Sequence, residues 1–447
     1  MDDFNKDFFE NKGREPSLIR KYKKFLSGKE QYFFDVFEFV EIISFYIEEL
    51  NFKEANNAIE TALSIYPNES EFIFLKATLL FRNSKSNQAL ELLNQIEAYQ
   101  FDNPEYHFLK ANILSSQNKI DKAIKEYNKV IDIADPDDKI MYLHLIGNSL
   151  SIVKRYNEAL IFFNKIPKTS LDPEILEDIA STYESLGRYD MAIKYYKESL
   201  KKDIMSDFTW QNLAEAYENI NEDEKALEAY LYAFAIDDTI SETKERIADL
   251  FYKKEDYEKA LLFYLDLKAK NQKLSIYDIY IANCFLKLKN LDEAEKYYNQ
   301  ALENGEISSD MFHGLAVIEF EKKEYEEALR YIDAALEIEE KENPVYINFK
   351  AHTLLMLKQY SDALEYFAKA VALSDIEKKF LYDFVKFIVN DVSDFFKEFS
   401  RITSTKVEEN YVEFILTMIT SYLFTLNKPF DKNKIKEQII EILKEFK

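Results

Sequence analysis

Residue types able to ligate a metal or act as a nucleophile are scarce here: four histidines and one cysteine in 447 residues. His313 and His352 occupy related positions of neighbouring sequence units and could approach one another. No third ligand accompanies them, and a protein metal centre needs three or four. His107 and His144 read as packing or surface groups. Cys284 is flanked by apolar residues and reads as a packed thiol. Being alone, it permits no internal disulfide and suits a reducing compartment. Six glycines leave little room for a phosphate-cradling loop, and no His-Glu-x-x-His helix, Cys-x-x-Cys pair or Gly-x-Ser-x-Gly elbow occurs. Acidic pairs are everywhere in so acidic a chain, so they say nothing about acid–base catalysis. The expectation is a non-enzyme: no catalytic residue, no metal and no cofactor.

The elements that must position whatever function remains are helices. Six Gly and eight Pro are too few to punctuate an all-β protein, while 47% hydrophobic residues, with 36 Phe and 31 Tyr, exclude general disorder. A net charge of −24 argues against a sequence-independent grip on nucleic acid or anionic lipid. The one basic run, Arg20-Lys21-Tyr22-Lys23-Lys24, reads as a solvated helix face. The first residues, Met1-Asp2-Asp3-Phe4, show no apolar leader, and the longest apolar stretch, Phe414 to Leu426, is too short to span a bilayer. A cytoplasmic protein without membrane insertion is expected.

Ten alanines recur at almost constant spacing: Ala55, Ala89, Ala123, Ala159, Ala192, Ala226, Ala260, Ala294, Ala328 and Ala363. Successive intervals are 34, 34, 36, 33, 34, 34, 34, 34 and 35 residues. Such a period predicts an all-α fold of the α-solenoid type, built from about ten helical hairpins. Twelve positions before each marker, nine of ten residues are Ala or Gly, Ile43 being the exception. Four positions after it stand large groups such as Tyr127, Phe163, Tyr230 and Tyr298. The small residues let paired helices approach, and the large ones fill the grooves between hairpins.

This pattern resembles the tetratricopeptide repeat family. In the best unit, 207–240, the matching residues are Trp210, Leu213, Ala214, Tyr217, Ala226, Tyr230 and Ala233. Pro67 matches the family's closing proline, most other units lack it, and Pro136, Pro173 and Pro344 lie near unit junctions instead. The resemblance covers Val36 to Asp375 as ten units: 36–69, 70–103, 104–139, 140–172, 173–206, 207–240, 241–274, 275–308, 309–343 and 344–375. An N-terminal extension, 1–35, includes a capping helix from Leu18 to Leu26. A C-terminal segment, 376–447, holds helices at Phe380–Val389, Val407–Leu426 and Ile435–Phe446, with Pro429 between the last two. This segment is expected to be a helical cap. Its aromatics (Phe384, Phe387, Phe395, Phe396, Phe399, Tyr411 and Phe414) leave open a partner or dimer surface.

The resemblance implies a right-handed superhelix whose concave face is lined by the first helices. Groove positions then lie 18, 15, 11, 8 and 7 residues before each marker. They give an apolar start (Phe37, Val40, Ile47, Phe74, Phe81, Phe108) and an acidic middle (Glu174, Glu177, Glu184, Glu215, Glu218, Glu242, Glu245, Asp249, opposed by Lys253). An apolar end follows, with Ile276, Ile279, Leu286, Phe320, Val345, Leu355 and Met356. Family members that clamp a peptide carboxylate do so with basic residues on successive repeats. The matching positions here are Glu177, Ser181, Asn212, Glu242 and Arg246, of which only Asn212 and Arg246 fit, so such clamping is not expected. The leading expectation is a non-catalytic scaffold or adaptor binding a protein, peptide or helix with apolar anchors and a basic centre. The alternatives are a regulatory sensor or assembly cofactor whose superhelix changes on ligand binding, and a non-catalytic subunit of an enzyme complex.

Overall fold

The computed structural model describes residues 16–28, 31–100, 102–270, 275–339, 341–374, 377–391, 412, 414–420, 423 and 430–444. All regular structure among them is helical. The chain divides into two compact units, Met1–Ala226 and Leu227–Lys447.

In the first unit, α1 (Ser17–Leu26) precedes the hairpins α2 (Val36–Glu48) with α3 (Phe52–Ile65), α4 (Ser70–Arg82) with α5 (Ser86–Ile96), and α6 (Pro104–Ser116) with α7 (Ile120–Ile133). Next come α8 (Lys139–Ile152) with α9 (Tyr156–Phe163), α10 (Pro173–Ser185) with α11 (Tyr189–Leu200), and α12 (Asp207–Asn219). The division between units falls inside α13 (Asp223–Ile236). The second unit continues with α14 (Ser241–Lys253) and α15 (Tyr257–Lys270), α16 (Ile276–Lys287) and α17 (Leu291–Glu303), and α18 (Ser309–Glu321) and α19 (Tyr325–Ile338). It ends with α20 (Pro344–Met356) and α21 (Tyr360–Leu373), then α22 (Lys378–Asp391) and α23 (Lys432–Lys444). Several first helices start from a side-chain cap. Asn103, Asp172 and Asn343 each accept a backbone N–H two or three residues on, with Pro104, Pro173 and Pro344 at the first helical position, where a missing N–H costs nothing.

All ten marker alanines are wholly buried, as are the small residues twelve positions earlier. The close approach leaves no slack in the fourth hairpin. A Cβ on Gly147 would lie 2.4 Å from the ring of Phe163, the large residue four positions after Ala159. Between hairpins the same crowding recurs, since a Cβ on Gly314 would lie 2.2 Å from the hydroxyl of Tyr298. The large residues therefore fill space within hairpins as well as between them.

Nine of the ten turns are built without glycine, the residue best suited to them. Five positions before each marker the backbone enters the left-handed region, at Leu50, Ser84, Asn118, Lys154, Gly187, Asn221, Glu255, Lys289, Lys323 and Lys358. The next residue's N–H then donates to the carbonyl five residues back, as in Asn51 to Tyr46 and Asp256 to Phe251, both at 2.9 Å. This closes each first helix with a Schellman-type bond. Only Gly187 escapes the steric cost, about 1 kcal/mol, of a side chain in that conformation. In the sixth hairpin Asn221 is the turn residue, and α13 begins two residues later.

Both ends carry added cores. Tyr22 of the basic run is fully buried against Phe34 and Phe39, while Arg20 and Lys21 face solvent. At the other end, α22, helical residues 414–420 and α23 pack with α20 and α21 around Phe384, Phe387, Ile415 and Ile439. Phe384 and Phe387 are thus interior rather than displayed, and Phe414 is half-buried against the same core. Phe395, Phe396, Phe399 and Tyr411 lie outside the described residues.

Two substitutions test these constraints by thermal melting. Gly147→Ala should destabilise by about 1–3 kcal/mol, because the Phe163 ring must shift in a packed interior. Glu255→Gly should instead stabilise by about 0.5–1 kcal/mol, relief of the left-handed backbone outweighing the extra freedom of the unfolded chain.

Candidate protein-binding site

Successive first helices in the first unit enclose a cavity of about 420 Å³. Ser44, Ile47 and Glu48 of α2 form one side, and Phe74, Thr78, Phe81 and Arg82 of α4 the middle. Glu105, Phe108 and Asn112 of α6 form the other side. All ten stand at the groove positions counted back from the markers. The structure therefore brings Phe74, Phe81 and Phe108 together. Phe74 is buried in the wall, Phe81 and Phe108 are half-buried, and Phe37, 69% exposed, is not part of this lining.

A larger cavity, about 680 Å³, lies between two first helices of the second unit. Asn283, Leu286 and Lys287 of α16 meet Asp310, His313, Val317 and Glu321 of α18 across it. Phe320 is absent from the lining; its ring packs on Phe349 and Tyr325, with centroids 5.4 and 5.3 Å away. Ile279 is buried, whereas Val345 and Met356 are exposed.

The acidic positions divide between the units, and four hold hydroxyl groups of their own chain. Glu177 accepts from Ser199 at 3.0 Å and also from Thr209, tying α10 to α11 and α12. Glu184 accepts from Tyr196 at 2.8 Å, and burial raises its pKa above the usual carboxylate value. In the second unit Asp249 accepts from Tyr264 at 2.5 Å and Glu245 from Tyr277 at 3.3 Å. Glu174 and Glu242 are exposed, and Glu215 and Glu218 half-buried.

One recurring bond had a signal in the sequence. Tyr127, Tyr264 and Tyr298, each four positions after a marker, donate to Asn112, Asp249 and Asn283, each eleven before it, at 2.5–2.6 Å. A tyrosine paired with a polar acceptor fifteen residues earlier is readable from spacing alone. It shows that this groove position also serves the hairpin.

The histidines do not pair as the sequence suggested. His313 stacks on Tyr346 with centroids 4.8 Å apart, and burial pushes its pKa down to about 4, so the ring is neutral. His352 faces Asp383 at 3.6 Å and the Phe367 ring edge-on. His107 is buried with its Nδ1 2.6 Å from Glu126. Burial opposes ionisation of Glu126, but hydrogen bonds from His107 and Lys129 prevail and hold its pKa at about 2. Cys284 is fully buried, which pushes its thiol up to about 12.

His144, Glu174 and Asp178 place ligand-type atoms within 4.8 Å of one another. The His144–Asp178 separation is 2.6 Å, with Asn148 donating to the same carboxylate oxygen at 2.7 Å. Two ligands of one tetrahedral zinc ion sit roughly 3.3 Å apart. The geometry here is that of a proton shared in an ion pair, and it links α8 to α10.

Fold and site together define a repeat array of helical hairpins whose first helices present cavities lined by variable residues. A family model described as anaphase-promoting complex, cyclosome, subunit 3, matches residues 48–130, and two tetratricopeptide repeat models match 173–201 and 281–344. These matches support a tetratricopeptide repeat protein. Comparison with curated proteins finds no match. Solved structures similar to it include PilW, a widely conserved type IV pilus biogenesis factor, at 19% identity over 46% of this chain and 94% of that one, with a TM-score of 0.39. YrrB, a repeat protein with an unusual peptide-binding site, gives 18%, 42%, 92% and 0.36. A repeat protein from Parabacteroides merdae gives 15%, 56%, 98% and 0.35. No helix among the described residues is long and apolar enough to cross a membrane.

The His144 ion pair has a pH signature. Its hydrogen bond to Asp178 raises the imidazole pKa above the ordinary 6.5, burial opposing. A raised folded pKa gives stability that is full below the unfolded value and lost as pH rises through the folded one. The melting-temperature gap between the natural chain and His144→Gln should therefore narrow as pH is raised from 6 to about 9; a constant gap would contradict the assignment.

Proposed function

We propose that this protein is a non-catalytic scaffold that holds a segment of another protein against its first helices. Tetratricopeptide repeats are protein-interaction modules, and the cavity joining Phe74, Phe81 and Phe108 is the observation that carries the reading. A concave apolar surface with a few charged groups at its margin, here Glu48, Arg82 and Glu105, is what seats an anchoring side chain and fixes its orientation. The walls are helices, so the surface is formed before the partner arrives and little ordering entropy opposes binding.

Exposed Glu174 in the first unit and Glu242 in the second are the acids best placed to meet a basic partner segment. Carboxylates already bonded to Tyr196, Tyr264 or Tyr277 contribute less, since their lone pairs are partly occupied. Such electrostatic contacts should weaken above physiological salt. The single buried thiol fits a cytoplasmic location.

A photo-crosslinking residue placed at Thr78, inside the cavity, should capture a small, reproducible set of proteins in cells, identified by mass spectrometry. Phe81→Ala should weaken their binding about tenfold or more, in the manner of an interface anchor, with an unchanged helical spectrum. Equal capture by the variant would reject this cavity as the docking point.

A further inference from the structure

One cavity lies where the repeat itself stumbles. The alanine interval lengthens to 36 and then shortens to 33 around Ala159. There α9 has only 8 residues, against 14 in α3 and 11 in α5. The chain leaves it through Pro167 and a single 3-10 turn, Lys168–Ser170, before α10 begins. Between this turn and α11 is a cavity of about 320 Å³. Its apolar lining includes Phe163, Ile166, Leu176 and Ile179, all buried, and half-buried Tyr195 adds a second aromatic surface.

Its rim is basic. Lys168 comes from the turn, Lys194 from α11, and Lys201 and Lys202 from just beyond α11; Glu198 is the one acid among the lining residues. All four lysines are exposed, and among the described residues none of their ammonium groups makes an ion pair or hydrogen bond, that of Lys194 only lying 5.5 Å over the Tyr195 ring. Lys165 nearby behaves differently, donating to Asn128 and covering Phe162. In a chain with 82 acidic and 58 basic residues, four exposed ammonium groups lining one cavity without carboxylate partners favour a bound anion.

The chemistry narrows the ligand. Lysines act as point charges suited to a multiply charged anion, and the rim has no arginine to offer the flat fork that matches a carboxylate. The apolar lining favours an organic body over a bare ion, and the volume is near the lower end for small-molecule sites. We propose that this cavity binds a small phosphomonoester, its phosphate among the four lysines and its apolar body against Ile166, Ile179 and Tyr195. The proposal does not rest on the Phe74–Phe81–Phe108 cavity, since it concerns a different cavity and another class of ligand.

Calorimetric titration of the full chain with phenyl phosphate, phenol and inorganic phosphate, at one low ionic strength, tests it. Phenyl phosphate should bind about tenfold or more tightly than inorganic phosphate, and phenol should show no binding. The double variant Lys194→Gln, Lys202→Gln should weaken phenyl phosphate at least about tenfold, with an unchanged melting temperature in the absence of ligand, because neither side chain is buried or paired. Unchanged affinity in the variant would overturn the proposal. So would equal binding of the two phosphates, which marks a diffuse counterion effect, or no binding of phenyl phosphate at millimolar concentration.

Discussion

Two helices can run side by side only as closely as the residues between them allow, and in this chain that distance is set by alanine. Each marker alanine and the residue twelve earlier, small in nine of the ten units, are fully enclosed, so in those nine the helix pairs meet almost backbone to backbone. Everything else adapts to that approach. The large residue four positions later must find room beside it, which Gly147 provides for Phe163 by having no side chain. The turn must close within a few residues, which it does through a left-handed backbone in every hairpin. Because the helix pairs are held from within, their outward positions are free to vary.

This ordering explains what could be read from the sequence and what could not. The hairpins were legible because burial imposes a period, and Ala55 to Ala363 display it directly. The turns were not, because left-handed conformation is normally announced by glycine, and here Lys154, Glu255 or Leu50 adopts it under the compulsion of the packed helices. The groove positions around Phe74, Phe81 and Phe108 followed from counting residues back from the ladder, and the structure brings those three side chains around one cavity. The acidic positions were counted with equal ease, but their hydroxyl partners went unseen. Glu177 reaches Thr209, 32 residues on, and Tyr277 reaches Glu245 from the next hairpin, contacts that depend on how hairpins stack. His144 was undervalued for the same reason, since Asp178 belongs to another repeat.

A position that faces a groove and also anchors a tyrosine serves two masters. Asn112 and Asn283 line the cavities of their respective units while accepting from Tyr127 and Tyr298. A partner that competes for those amides would have to replace a buried hydroxyl's bond with an equally good one. Recognition in these cavities should rest on apolar fit first and on the outlying charges second.

Cys284 has a practical corollary. Its sulfur is enclosed within α16 and held protonated, so a maleimide or an alkylating dye meets a chain that behaves as though it had no cysteine. A thiol introduced at an exposed turn would be the sole addressable point on the molecule. Pairs of such labels, one in each compact unit, would allow the separation and mutual motion of the units to be measured by fluorescence transfer on the otherwise natural sequence.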